Sequence, residues 1–593
     1  MTFDPFQSGW TSTTRHDAAY IRLPNGIEYI LIVFTVDNSK QTDIIPFVSK
    51  LVAEDLAQNP PLADLVLLNG RLWTGDRSQP WAEALASLKG RITAVGSNEE
   101  VKKLAGPGTP FIDLQGRLAL PGFIDDHTHF MTGGFQLLSV DLRDASTPKE
   151  FALRIKQKAE KLGEGRWITG GDWDHELWRG APLPTKELID PFTPNDPVFV
   201  GRLDAHMALA NSVVLRRAKI TKETRDPPGG MIVRDPKTGE PTGLLKDAAM
   251  GLVWPLIPQP TEAEREEALK AALGEAARVG VTSVQDITPW SDYELYQRFR
   301  NADRLTVRIN ACTPMSQWER QAEVVKRQGI GDEWLRLGGI KAFMDGSLGS
   351  TTALFFEPYD DAPHTTGLMA DDNIPEGKLK RNIQGADQAG LQCSVHAIGD
   401  KANHLLLDYF EEIVKENGPR DRRFRIEHAQ HLLAADIPRF ARLGVLSSMQ
   451  PYHAIDDGRW AQRRLGRSRL RTSYAFRSLL DAGASLTFGS DWNVAPLSPI
   501  QGIFAAVTRE TIDGKNPHGW IPEERITVED AVRAYTMTAA YAGFEEREKG
   551  TLEPGKLADV VVLSQDIFRT SSHAISKTEV THTIVGGKVV FSQ

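Results

Sequence analysis

The sequence predicts an α/β chain whose main body is a (β/α)8 barrel, with a small β-sandwich built from both ends of that body and a subdomain inserted after the first barrel strand. Three observations carry this expectation. Short apolar runs alternate with amphipathic helical stretches through the middle of the chain, the pattern of βα units on a parallel sheet. Pairs of alternating apolar stretches around turn glycines stand before and after that middle. Side chains able to ligate metals follow several of the apolar runs, at the strand ends where such a barrel keeps its chemistry.

Taken in order, residues 1–60 form an N-terminal extension. Ser8-Gly9-Trp10-Thr11 and residues 15–20 read as two strands, Asn25-Gly26 as a hairpin turn into residues 28–36, and residues 41–56 as an amphipathic helix. Residues 64–74 alternate around Asn69-Gly70, residues 84–88 and 89–96 repeat the pattern, and residues 111–120 add a pair broken at Gln115-Gly116. Residues 558–563 and 580–591, with Gly586-Gly587, read the same way. A composite sandwich from 61–118 and 553–593 is therefore expected, with the barrel over 119–552. Its eight strands are read at 118–121, 281–286, 305–310, 339–344, 392–396, 423–427, 445–449 and 485–489, with helical patterns between them such as 262–279 and 378–390. The first two strands lie about 160 residues apart, far beyond an ordinary βα connection, so about 141–260 is read as an insertion on the catalytic face. Inside it, Gly170-Gly171-Asp172-Trp173-Asp174-His175 and Pro227-Pro228-Gly229-Gly230 read as loops.

Bulk properties exclude several function classes. With 593 residues, 41% hydrophobic and 25% charged, the chain has the composition of a globular protein of more than one domain. Its net charge of -9, with no long basic run, argues against nucleic acid or an anionic membrane as a partner. The longest apolar run, 29–36, is too short to span a bilayer, and residues 1–15 lack the pattern of a secretory signal. Cys312 and Cys393 are too few for a disulfide framework, and a cytoplasmic location is expected.

The chemistry gathers around Pro121-Gly122-Phe123-Ile124-Asp125-Asp126-His127-Thr128-His129. Residues i and i+2 at an extended strand end point the same way, about 7 Å apart, so two imidazoles there can converge on one ion. Later strands add Lys341 with Asp345-Gly346 behind it, His396, Glu427-His428, and Gly489-Ser490-Asp491. Neutral imidazoles with a carboxylate suit Zn²⁺ or a similar divalent ion. His453 follows the seventh strand, and His206 lies on the insertion. Trp173 is one of several tryptophans expected to line an apolar pocket, and Asp345 is expected to contact substrate.

These stretches resemble the amidohydrolase superfamily, in particular the family 3 group that includes N-substituted formamide deformylases. The resemblance covers roughly 62–592. It rests on Asn69-Gly70-Arg71-Leu72-Trp73-Thr74-Gly75-Asp76, Leu120 to Phe130, Asp204-Ala205-His206-Met207-Ala208-Leu209-Ala210-Asn211-Ser212, Lys341 to Ser350, Gly489-Ser490-Asp491-Trp492 and Pro554-Gly555-Lys556-Leu557-Ala558-Asp559. It implies one or two divalent ions, with His127, His129 and Asp491 on the first, His396 and His428 on the second, and a carboxylated Lys341 bridging them. It further implies hydrolysis of a non-peptide carbon–nitrogen bond, amide or N-formyl, in a small molecule. Asp491 would take and return the proton, His453 would stabilise the oxyanion, and His206 would contact substrate. Deamination, hydrolysis of another amide or ester, and a non-catalytic metal-stabilised scaffold are the alternatives, and a homodimer is the expected form should the chain associate. The first 60 residues resemble the carboxy-terminal end of serine β-lactamase-like hydrolases, but Gln7 stands where their strand lysine would be, so no β-lactamase site is expected.

Overall fold

The computed structural model describes all of the chain except residues 1, 11–13, 23–27, 37–42, 59–61, 179–182, 203–206, 228–229 and 350. The chain divides into two compact units, one formed by Met1–Ile124, Ala277–Ser283 and Val528–Gln593, the other by Asp125–Ala276 and Val284–Thr527.

The first unit holds three sheets. Thr2–Trp10, Thr14–Arg22 and Glu28–Val36 form an antiparallel sheet in that order, followed by the helix Ile44–Gln58. Gln7 lies in the first of these strands, at a break in register after Pro5, while the Asn25-Gly26 turn falls outside the described residues. A four-stranded sheet runs Arg91–Gly96, Ala84–Leu88, Leu65–Leu68, Phe111–Asp113. A six-stranded sheet joins the two ends of the chain, in the order Lys588–Ser592, Val580–Val585, Val560–Leu563, Leu118–Pro121, Arg71–Trp73, Trp81–Ala82. Strand periodicity explains the packing: Leu65 and Leu67 face one buried cluster with Leu72, Leu85, Val560 and Val562, while Val66 and Leu68 face another with Ala84, Ala86 and Val101.

Here one expectation is corrected. Residues 118–121 are not the first barrel strand; they pair antiparallel with Val560–Leu563 and parallel with Arg71–Trp73. The first barrel strand is Phe123–Thr128. The switch falls at Gly122, whose N–H donates to Asp559 O at 2.9 Å, and where a Cβ would meet Thr282 Oγ1 at 2.3 Å. Only a residue without a side chain lets the chain leave one sheet and enter the next at that point.

The barrel follows the chain: Phe123–Thr128, Val281–Ile287, Arg308–Pro314, Leu335–Phe343, Gln392–Ala397, Arg425–His428, Leu446–Met449 and Leu486–Phe488 are neighbours in that order, eight parallel strands in a nearly closed barrel. At the seam, Thr128 bridges in parallel to Trp492. Helices Glu262–Arg278 and Lys378–Gln388 stand where the 3.6-residue periodicity placed them.

Between the first two barrel strands lies a second six-stranded sheet, in the order Val140–Asp141, Gly170–Trp173, Phe199–Arg202, Met207–Ala210, Pro241–Asp247, Gly230–Arg234. The run from Gly170, expected as a loop, is the strand Gly170–Trp173. Gly170 and Gly171 have φ of 86° and 111°, and a Cβ on Gly170 would sit 2.2 Å from Ser139 Oγ. The glycines serve close approach within the sheet rather than a turn.

Candidate active site

The barrel rim is built by strand ends whose alternate residues face inward. Glu427, on the sixth strand, accepts from His127 Nδ1 at 2.5 Å and from Ser448 Oγ at 2.5 Å, and pairs with Arg425 Nε at 2.9 Å. Its carboxyl is held far below the usual range; burial alone would raise it, and Arg425 and His127 outweigh that burial. A carboxylate on Nδ1 fixes the Nδ1–H tautomer of His127 and turns the Nε2 lone pair into the site. Gln450 does the same for His428, whose Nδ1 lies 2.6 Å from Gln450 Oε1.

Asp491 completes the group. Its Oδ1 lies 3.2 Å from His129 Nε2 and 3.5 Å from His127 Nε2, and its N–H donates to His127 O at 2.7 Å across the barrel seam. Burial pushes its carboxyl up, but His129, His127 and His428 together hold it well below its ordinary value. It is therefore an ionised carboxylate at neutral pH. The ligand atoms of His127, His428 and Asp491 all lie within 4.8 Å of one another, and all three residues are buried. Two of these donors sit in left-handed backbone, His428 with φ of 75° and Asp491 with φ of 56°. Such strain in non-glycine residues is held in place only by surrounding contacts and gathers at working sites.

Three other expected ligands stand around this trio. The His129 ring centroid lies 5.8 Å from that of His127, and the His396 ring 4.6 Å from that of His428. The His396 Nε2 donates to Gly346 O at 2.9 Å, and burial with Lys341 nearby pushes its pKa down to about 3, so it is neutral. Lys341 Nζ lies 3.5 Å from His127 Nε2 and 4.6 Å from the centre of the Phe343 ring. Burial lowers its pKa. Asp491 is the atom group shared by the cluster: His129 Nε2 lies 3.2 Å from its Oδ1 and His127 Nε2 3.5 Å, while His428 completes the close trio with His127 and Asp491.

The remaining candidates fall differently. The His453 ring lies parallel to that of His428 at 6.4 Å, and its Nε2 is buried without a hydrogen-bond partner among the described residues. Asp345 is not turned toward a substrate: its carboxylate accepts from the N–H groups of Leu354, Ile398 and Gly399 at 2.8–3.0 Å, which makes it an anchor for the 345–354 loop. Burial pushes its carboxyl up to about 7. Trp173 is fully buried in the core of the inserted sheet, packed on Phe151 and Trp178, with its N–H donating to Val200 O at 3.0 Å. It lines that core rather than a pocket. His206 lies outside the described residues.

Glu427, Arg425 and Gln450 support the donor histidines without standing out in the sequence as their partners. A signal for the first two was present: Arg425 and Glu427 alternate with Ile426 on a short strand, which puts both charges on the inward face. Gln450, one residue past its strand, carries no such mark.

Two buried imidazoles and an ionised carboxylate thus meet at the carboxyl rim of an eight-stranded parallel barrel, the face on which such barrels keep their chemistry. The chain belongs to the amidohydrolase family, whose profile matches residues 111–591, and it is a hydrolase. It is 43% identical over 543 residues to Protein LONG AFTER FAR-RED 3 of Arabidopsis thaliana, covering 89% of this chain and 92% of that one. It is 28% identical over 543 residues to N-substituted formamide deformylase of Arthrobacter pascens, covering 89% and 98%. Among solved structures it is similar to an uncharacterized metal-dependent hydrolase from Pyrococcus horikoshii OT3, with a TM-score of 0.71, 27% identity and coverage of 86% and 99%. A second such hydrolase, from Pyrococcus furiosus, gives a TM-score of 0.68, 28% identity and coverage of 85% and 100%. No helix among the described residues is long and apolar enough to cross a membrane.

Proposed function

We propose that this chain hydrolyses a non-peptide carbon–nitrogen bond, of amide or N-formyl type, in a small molecule, at a divalent-metal centre seated on His127, His428 and Asp491. The observation that carries the reading is the convergence of those three ligand atoms within 4.8 Å, with both imidazoles pre-set to offer a lone pair. The donor set fits such an ion: two neutral imidazoles and a carboxylate suit Zn²⁺. His129 and His396 stand close enough to extend the set, and a carbamate on Lys341 would turn a buried cation into an anion able to join it. A divalent ion bound there supplies Lewis acidity and lowers the pKa of water toward ~7.

The chain's own groups would then divide the work. Asp491 takes the proton of the attacking water and returns it to the leaving nitrogen, a general-base and general-acid role that needs a carboxylate ionised at neutral pH. His453 Nε2, buried and without a partner among the described residues, donates to the developing oxyanion. Glu427 and Arg425 keep His127 aimed through the cycle. The deformylase relative supports the formyl end of the substrate range. The test is a screen of metal-stripped protein, reconstituted with Zn²⁺, against N-formyl, N-acyl and cyclic amide substrates. Zn²⁺-dependent release of amine is expected from at least one class. Turnover confined to esters or to ring amino groups would overturn the carbon–nitrogen amide reading.

A further inference from the structure

We propose that Asp286, on the second barrel strand, is the positioning residue for His129; the inference rests on the metal-centre reading above. His129 occupies the cap position of the helix Phe130–Leu138, with φ of -113° and ψ of 70°, and makes no side-chain cap hydrogen bond. The first N–H groups of a helix need an acceptor, and the cap residue's own side chain usually supplies it. Here that side chain is committed elsewhere, with Nε2 3.2 Å from Asp491 Oδ1. The acceptor comes instead from Asp286, whose Oδ1 takes the Phe130 N–H at 2.6 Å and the Thr128 hydroxyl at 3.3 Å. A carboxylate borrowed from the neighbouring strand thus caps the helix and leaves the His129 imidazole free for the donor group.

The rest of the surroundings fix that carboxylate. Its Oδ2 accepts from Thr288 Oγ1 at 2.6 Å and from Tyr296 OH at 2.8 Å, and the residue is 1% exposed. Gln285, one residue before, accepts from Arg425 inside the barrel, so strand alternation turns Asp286 outward, toward the helix layer. The His129 N–H donates to Trp492 O at 2.6 Å, and a Cβ on Gly133 would stand 2.3 Å from the Trp492 ring, so the helix is pressed against the residue that follows Asp491. Both neighbours of His129 and its own N–H are therefore held, and only rotation of its side chain remains.

The test measures Zn²⁺ affinity of the full chain by competition with a chromophoric chelator, beside thermal melting of the metal-free protein. Asp286→Ala should weaken Zn²⁺ binding by about 10–100-fold, the usual effect of removing a partner that orients a ligand. Asp286→Asn keeps an oxygen toward Phe130 and Thr128, and the Thr288 and Tyr296 hydroxyls can rotate to accept, so it should restore affinity. Tyr296→Phe removes one of two donors on the far oxygen; it should lower the melting temperature and weaken Zn²⁺ binding less than Asp286→Ala does. A folded Asp286→Ala that binds Zn²⁺ as wild type does overturns the proposal, as does a Tyr296→Phe that loosens Zn²⁺ equally. Should Asp286→Ala fail to fold, Thr128→Val replaces it, with weakened binding expected and wild-type binding contradicting the proposal. A wild type that takes up no Zn²⁺ overturns the metal-centre reading itself, a result distinct from wild-type binding unaffected by Asp286→Ala.

Discussion

At the barrel rim, His127, Glu427, His428 and Asp491 are buried polar groups, tied to one another at the ends of three strands. In the inserted sheet, Phe151, Trp173 and Trp178 are buried to the same degree, but each indole N–H is satisfied by a backbone carbonyl, Val200 O at 3.0 Å and Ala145 O at 2.7 Å. The two regions differ in what burial leaves over. The aromatic core closes on itself, with rings edge-on and stacked and no polar atom of those indoles left seeking a partner. The rim keeps two imidazoles whose Nδ1 atoms are held by Glu427 and Gln450, which leaves their Nε2 lone pairs for a ligand, and among the described residues His453 Nε2 is buried there without a hydrogen-bond partner. Conspicuous residue type therefore marks function less well than leftover hydrogen-bonding capacity does.

The sharpest way to break this contrast is at Asp491. Asp491→Asn should lower kcat by about 10²–10⁴-fold, because the amide cannot accept the water's proton, while leaving the melting temperature near that of wild type. Measured kcat above about a tenth of wild type would move the base elsewhere. Trp173→Ala should do the reverse. It is expected to destabilise the protein by about 3–5 kcal/mol, read by denaturant unfolding, with the Zn²⁺ affinity of the folded fraction unchanged. If that variant keeps its stability and loses substrate affinity instead, Trp173 belongs to the site after all.

Glu427→Gln probes the join between the two kinds of burial. It removes the charge that orients His127 and balances Arg425, and Zn²⁺ affinity should fall by about 10–100-fold in chelator competition. An unchanged affinity would make the pair purely structural. The smallest effect is expected at Asp457, away from the donor trio, whose carboxyl is pushed up to about 7 by burial while accepting from Tyr474 and Gln430. In the folded state this group binds its proton more tightly than in the unfolded chain. Its contribution to stability is therefore complete below about pH 4 and is lost as the pH rises through about 7. Urea midpoints measured across that window should fall with rising pH in wild type and fall less steeply in Asp457→Asn; parallel slopes would show that Asp457 does not titrate there.

Much of the barrel was legible because its strands are short apolar runs separated by helices of regular period, and those patterns report burial directly. The first strand was misplaced because 118–121 and Phe123–Thr128 are consecutive apolar runs split by one glycine, and nothing local tells which run joins which sheet. The third was placed at 305–310 but runs Arg308–Pro314, since Leu305 and Val307 are buried just ahead of the strand and look like its start. In the insertion, glycines that permit close packing mimic the glycines of a turn. At the rim, the convergence of His127, His428 and Asp491 was legible from their positions at strand ends. Asp345 was visible but misread, because a carboxylate that binds backbone N–H groups and one that binds a ligand look alike in sequence. Asp286 acts through a helix start that only the fold brings beside it.

The central claim is that His127, His428 and Asp491 seat a divalent ion on which hydrolysis depends. The most direct measurement is a Zn²⁺ titration of the chelator-stripped full chain, following bound metal and amine release from a formamide or amide substrate together, for wild type and for His428→Ala. The account predicts that wild-type activity is lost on stripping and returns in proportion to bound Zn²⁺, and that His428→Ala binds Zn²⁺ weakly and stays inactive at the same metal concentration. A stripped wild type that retains full activity, or a His428→Ala that binds and turns over as wild type does, would contradict it.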